Sequence, residues 1–273
     1  MPSALAKAID TDQVPPGCLA VYWLAQAGFV FKGPSGKVVY IDPYFSDVVE
    51  RLFGFKRMMS CPISAQEVNA DLIICTHEHL DHMDIDALPA VAENPRVRFA
   101  GPIECVKEFK KMGISPERSI LLEEGKEIHL DGVRINVVFA DHGELAPDAV
   151  GVVLEMDEVK VYHTGDTAYR PEEFAPAIEM QPNVLVPCIN GRYGNLNAHE
   201  AALLTQSVNP QLAIASHFWM FVEHDGDPAG FLEDCAKLAP GVQALVMKPG
   251  ERFMFHKAQS SDHRGSVDGV TAK

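Results

Sequence analysis

The stretch Leu72-Ile73-Ile74-Cys75-Thr76-His77-Glu78-His79-Leu80-Asp81-His82 decides the reading of this chain. Its first four residues are apolar and read as a short buried strand, and the chain turns polar immediately after them. His77, His79, Asp81 and His82 then fall within six consecutive positions, and every one is a metal-ligand type. In extended chain alternate residues share a side, so the imidazoles of His77 and His79 can reach one ion. Asp81 and His82 follow a turn and can face a second ion beside the first. Imidazole nitrogen with carboxylate oxygen suits zinc, manganese or iron. A helical H-E-x-x-H zinc motif would need histidine at position 81, where this chain has Asp81. A polar turn with solvated histidines is the bland alternative. Four such groups buried together without a cation would be costly.

Two ions need more than four ligands, and three further residues stand at the ends of apolar runs. His142 follows the run Val133 to Ala140, Asp166 follows Val159 to Tyr162, and His217 follows Leu212 to Ala215. Loops leaving strand ends can converge on a shared site. Asp42, at the end of the run Lys37 to Ile41, is a candidate hydrogen-bond partner for a ligating imidazole.

Composition agrees with a globular enzyme. The chain has 273 residues, 47% of them hydrophobic and 22% charged, which excludes disordered, collagen-like and coiled-coil classes. At this length a core needs no disulfide or structural metal, so a metal site reads as functional. The net charge of −15 repels nucleic acid and anionic lipid, and an anionic substrate would need help from a metal or a few basic residues. Six cysteines without CxxC pairing read as free thiols in a reducing compartment. No apolar run approaches the ~18 residues of a membrane span. Residues 1–16 carry no secretion signal. A soluble cytoplasmic protein is expected, with no nucleic-acid and no membrane partner.

The expected organisation is a flexible lead-in over 1–16, one domain over 17–257 and a disordered tail over 258–273. Cys18 to Leu24, Gly28 to Phe31 and Lys37 to Ile41 read as strands of an antiparallel opening. Asp84 is predicted to cap a helix running to Ala92. Helices are also predicted over Ile103 to Met112, Pro171 to Ile178, Ala198 to Ser207 and Pro228 to Leu238. The second half repeats the order of strands followed by helices, which suits two sheets packed face to face with helices outside.

Thr76-His77-Glu78-His79-Leu80-Asp81-His82 resembles the H-x-H-x-D-H signature of the metallo-β-lactamase superfamily, with His142, Thr164-Gly165-Asp166-Thr167 and Ser216-His217 matching its later positions in order. More narrowly, the chain resembles the L-ascorbate-6-phosphate lactonases. That likeness rests on Trp23-Leu24-Ala25-Gln26-Ala27-Gly28-Phe29, Ile41-Asp42-Pro43-Tyr44, the run Cys188 to Asn197, and His217 to Phe221 with Gly226-Asp227-Pro228. The resemblance implies an α/β (α+β) fold, a four-layer αβ/βα sandwich with a two-metal site at one edge. It implies that His77, His79 and His142 hold one ion, that Asp81, His82 and His217 hold another, and that Asp166 bridges both. It points to manganese, with zinc or iron as alternatives, and it allows a homo-oligomer. His224 stands where that family would have a smaller or amide residue.

The expected activity is metal-dependent hydrolysis, opening a lactone of a small anionic sugar-acid phosphate. Asp81 is also read as catalytic, orienting the attacking water. Asn190, Arg192 and Tyr193 form a polar loop read as substrate-binding, with Arg192 suited to a phosphate or carboxylate. Two rival readings are a phosphodiesterase working on a small phosphodiester or nucleotide, and a non-catalytic metal-binding or sensing module.

Overall fold

The computed structural model describes residues 2–258. In chain order the strands are β1 (Cys18–Ala25), β2 (Gly28–Lys32), β3 (Val38–Ile41), β4 (Leu72–Ile74), β5 (Arg98–Gly101) and β6 (Ser119–Leu121), then β7 (Glu127–Leu130), β8 (Val133–Phe139), β9 (Val150–Met156), β10 (Val159–His163), β11 (Val184–Val186), β12 (Leu212–Ile214), β13 (Gln243–Leu245) and β14 (Arg252–His256). They form two seven-stranded sheets, ordered β14-β1-β2-β3-β4-β5-β6 and β13-β12-β11-β10-β9-β8-β7. Each sheet is antiparallel at its start in the chain and parallel afterwards: β1, β2 and β3 pair antiparallel and β3 to β6 parallel, while β7 to β10 pair antiparallel and β10 to β13 parallel.

Strand β1 shows why the layers form. Its eight residues are all buried, and alternation sends them to opposite faces. Leu19, Val21 and Trp23 enter the core between the sheets with Phe29, Phe31, Val152 and Leu154. Ala20, Tyr22 and Leu24 enter a second core under the outer helices with Tyr40, Phe99 and Phe109. A strand buried on both faces must be apolar throughout, which is what CLAVYWLA provides. The helices are α1 (Ala4–Thr11), α2 (Val48–Phe53), α3 (Leu88–Ala92), α4 (Ile103–Lys111), α5 (Ala175–Glu179), α6 (Ala198–Val208) and α7 (Pro228–Leu238). The six cysteines are free. No helix among the described residues is long and apolar enough to cross a membrane.

Two local expectations need correction. The expected loose lead-in contains α1: Ser3 caps the helix, and its stripe Leu5, Ala6 and Ile9 is buried in the outer core. Asp84 does not cap a helix to Ala92, since α3 begins only at Leu88. The fully buried Asp84 carboxylate instead accepts from the Phe45 and Ser46 amides at 2.9 and 2.6 Å, the Ser46 hydroxyl at 2.7 Å and the Asp86 and Ala87 amides at 3.1 and 3.0 Å. It ties the loop after β3 to the loop after β4. The final strand β14 returns to pair with β1 at the edge of the first sheet. Apart from Ala258, the tail expected over 258–273 lies outside the described residues.

Asp84→Ala strands several buried donors at once. Its expected cost is roughly 2–5 kcal/mol of unfolding free energy, read as a lowered denaturant midpoint with unchanged slope.

Candidate metal centre

Six strands that end near one edge of the sandwich are followed by polar residues that gather there. Gln26 follows β1, Asp42 follows β3, His77 to His82 follow β4, His142 follows β8, Asp166 follows β10 and His217 follows β12. Gln26, Asp42 and His217 adopt left-handed backbone, with φ of 52°, 48° and 57°. Strained non-glycine conformations of this kind persist where surrounding structure holds them. Here the Trp23 indole donates to Gln26 O at 3.0 Å and the His217 amide donates to the same oxygen at 3.0 Å. Gly165, just before Asp166, has φ of 61°, and a Cβ there would sit 2.9 Å from Val150 O, so only glycine lets the Asp166 loop pass so close.

The seven residues expected to hold metal lie together. His77, His79 and His142 present nitrogens within 4.8 Å of one another. Beside them, His82 Nε2 stands 3.7 Å from Asp81 Oδ2, 3.4 Å from Asp166 Oδ1 and 3.1 Å from His217 Nε2, while His217 Nε2 stands 3.5 Å from Asp81 Oδ2 and 3.2 Å from Asp166 Oδ1. Ligands on a tetrahedral ion with bonds of about 2.1 Å are about 3.4 Å apart, so these four atoms fit one ion. Asp166 faces both groups, its Oδ2 lying 3.8 Å from His142 Nε2.

The surrounding hydrogen bonds select the ligating atoms. His82 Nδ1–H donates to Asp42 Oδ2 at 2.8 Å, which turns its Nε2 lone pair inward. Asp42 also accepts from the Thr76 amide and hydroxyl, both at 2.7 Å. The same Thr76 oxygen accepts from His77 Nδ1 at 3.1 Å, leaving the buried His77 Nε2 without a hydrogen-bond partner. Such a buried acceptor needs a cation or a donor. Asp42 thus orients two candidate ligands, one directly and one through Thr76.

Charge follows from burial. Burial drives His77 well below the ordinary imidazole range, aided by His82, and takes His142 and His224 down to about 4. Burial would raise Asp81 and Asp166, but the facing imidazoles, His82 for Asp81 and His217 with His82 for Asp166, outweigh it and hold both well below the usual carboxylate value. His82 is the exception: burial opposes its charge, yet Asp166, Asp42 and Asp81 outweigh that and raise it. Without a cation, a proton on His82 is what balances three carboxylates.

Three residues in this cluster were given no role on sequence alone. Gln26 Nε2 donates to Asp81 Oδ2 at 2.7 Å and lies 3.2 Å from His217 Nε2 and 2.9 Å from His224 Nδ1. His224 is buried, stacks on His217 with ring centres 5.0 Å apart, and forms a third ligand-like group with Asp81 and His217. Asn195 donates to Asp166 Oδ2 at 2.7 Å and to Asn190 Oδ1 at 3.0 Å. The histidine had a chemical signal, standing where the resembled family would have a smaller or amide residue; Gln26 and Asn195 lie in runs that carry the resemblance, but nothing in the runs marked these two individually. The loop expected to bind substrate divides. Tyr193 packs on His224 and lines the cavity above the cluster. Asn190 is buried behind Asn195, and Arg192 pairs with Asp225 at 3.0 Å in a separate surface depression.

That cavity measures about 500 Å³, and the clustered His79, Asp81, His142, Asp166, His217 and His224 form its floor. A larger depression of about 810 Å³ between Pro102 and Arg170 contains none of the clustered ligands.

A family model described as the beta-lactamase superfamily domain matches residues 20–217. The chain belongs to the beta-lactamase superfamily. Among curated relatives, it is 26% identical over 247 residues to a UPF0173 metal-dependent hydrolase of Herpetosiphon aurantiacus, covering 86% of this chain and 97% of the relative. Among solved superfamily-like folds, it is similar to Igni18, a metallo hydrolase from Ignicoccus hospitalis (TM-score 0.70, 24% identity, 88% of this chain and 99% of that one). It is also similar to an isothiocyanate hydrolase from Delia radicum gut bacteria (TM-score 0.73, 22% identity, 88% of this chain and 100% of that one). At these identities the two structures speak for the αβ/βα fold.

Asp42→Asn keeps the size of the side chain but removes an acceptor facing His82. Titration of metal-stripped protein with Mn²⁺ should show affinity reduced roughly 10- to 100-fold. Acid should also act on metal-free protein. Unfolded histidine protonates near 6.5, whereas folded His142 and His224 resist until about 4. The unfolded state therefore binds more protons in that window, and stability falls as pH drops from 6.5 toward 4, by about 3 kcal/mol per residue. His82 acts oppositely, its contribution being complete below 6.5 and lost on the alkaline side. Thermal melts of metal-free His224→Asn should show the shallower acid dependence.

Proposed function

We propose that this protein is a metal-dependent hydrolase that adds water to an acyl carbon, with lactone opening as its reaction. The observation that carries the reading is the seven-residue donor set, spaced for cations and opening on a cavity. His77, His79 and His142 would hold one divalent ion, Asp81, His82 and His217 a second, with Asp166 between them. The imidazole and carboxylate donors suit manganese, zinc or iron, with manganese the first candidate from the lactonase resemblance. Bound there, a pair of divalent ions would lower the pKa of water and polarise a carbonyl oxygen.

The chain's own residues do the remaining work. Asp81, on the cavity floor, is the group that accepts a hydrogen bond from the attacking water and orients it toward the carbonyl. Gln26 fixes Asp81 through its 2.7 Å hydrogen bond, and Asn195 fixes Asp166 likewise. In the overall reaction the water oxygen bonds to the acyl carbon, the ring C–O bond breaks, and the departing alkoxide takes a proton, giving a hydroxy acid. The phosphate half of the expected sugar-acid phosphate finds less support: among the described residues no lysine or arginine lines the cavity. The same feature weighs against a phosphodiester. Six free thiols are compatible with a reducing cytoplasm.

Manganese-loaded protein should hydrolyse simple lactones, followed by proton release in a weakly buffered indicator assay. His79→Ala should abolish turnover, and Asp81→Asn should lower kcat by about 10²- to 10⁴-fold. Metal-loaded protein that cleaves bis-aryl phosphodiesters readily and no lactone would overturn the acyl reading.

A further inference from the structure

We infer that the substrate of this site is electrically neutral and carries an apolar body, which seats in the vestibule above the metal cluster. The inference rests on the hydrolase reading for the reacting end of the substrate and on the cavity walls for the rest. Helix α2 contributes Val49, Leu52 and Phe53, and the wall continues through Phe55, Leu145 and Tyr193. Leu52, Phe53, Leu145 and Tyr193 are 49%, 64%, 52% and 46% exposed, so large apolar side chains face water at the mouth of one concave site. Exposed apolar groups gathered around a pocket mark a surface meant to be covered.

Charge makes the same choice. The charged side chains lining the cavity are acidic: Glu78 and Glu108 stand in its wall, beyond Asp81 and Asp166 on the floor. The arginines near this face are already engaged. Arg57 donates to Phe45 O and Tyr44 O and lies 4.4 Å above the Tyr44 ring, Arg51 is held by Asp86, and Arg192 by Asp225. Lys111 pairs with Glu108 and is not a lining residue. Away from the metal centre, a phosphate or sugar carboxylate would meet walls of carboxylate and hydrocarbon, whereas an uncharged ester or lactone with an alkyl or aryl body loses apolar surface to matching apolar surface. At about 500 Å³ the space is in the range of small-ligand sites, roughly 300–1,000 Å³.

Two lactones separate the alternatives: δ-decanolactone, neutral and apolar, and 6-phosphoglucono-δ-lactone, anionic and polar. With manganese-loaded protein, kcat/KM should favour δ-decanolactone by about 100-fold or more. Phe53→Glu, at an exposed position that leaves the fold intact, should raise its KM about tenfold with little change in kcat. Equal rates, or preference for the phosphorylated lactone, would overturn the inference. Probe binding to the intact manganese-loaded protein gives a readout independent of turnover. N-phenyl-1-naphthylamine should fluoresce on binding, δ-decanolactone should displace it, and Phe53→Glu should weaken both. If neither lactone is hydrolysed but displacement occurs, the acyl-hydrolase reading fails and the apolar vestibule stands. Absence of probe binding and displacement would overturn the vestibule.

Discussion

Three buried carboxylates, Asp42, Asp81 and Asp166, surround the imidazole of His82. Burying that much negative charge is tolerable only if positive charge lies within contact distance. A single proton on His82 goes part of the way, and divalent cations between these groups go further. Much of the architecture at this edge supports that compensation. Trp23 holds the strained turn at Gln26, Thr76 aligns Asp42 with His77, and the Gly165 turn admits Asp166 beside the first sheet. Each of these residues matters to the fold because it matters to the charge balance.

The seven ligand candidates were legible in the sequence because strand ends and ligand-type residues coincide: an apolar run stops and a His or Asp follows. The two-sheet layering was legible in the order of elements, strands followed by helices in each half of the chain. Asp42 was legible too, as a carboxylate ending a strand beside the motif. What escaped were residues whose role depends on long-range closure. Gln26 is an amide in an apolar run until β12 brings His217 to it, and His224 is a loop residue until Phe221 and Tyr193 enclose it. Helix α1 escaped because its short apolar stripe gains meaning only from the outer face of the first sheet. Asp84 was only half legible: it does hold the local Asp86 and Ala87 amides, but its other partners lie across the fold at Phe45 and Ser46.

The vestibule qualifies the likeness to sugar-phosphate lactonases. Most residues supporting that likeness stand around the candidate ligands and their hydrogen-bond partners, and Tyr193 reaches from them into the wall. The walls, built from α2 and from loops near Leu145 and Tyr193, set which molecule is admitted. Floor and walls answer to different demands, so a shared floor with hydrocarbon walls is coherent: the reaction class follows one and the choice of substrate the other.

The ligand candidates are divided between the two halves of the sandwich. His77, His79, Asp81 and His82 come from the first sheet, and His142, Asp166 and His217 from the second, with the Val150 amide bonded to Thr76 O across the seam. Cations seated there would rivet one half to the other. Chelation would then loosen the sandwich along this seam, letting backbone amides near Thr76 and Val150 exchange with solvent more readily than those of the strands behind them.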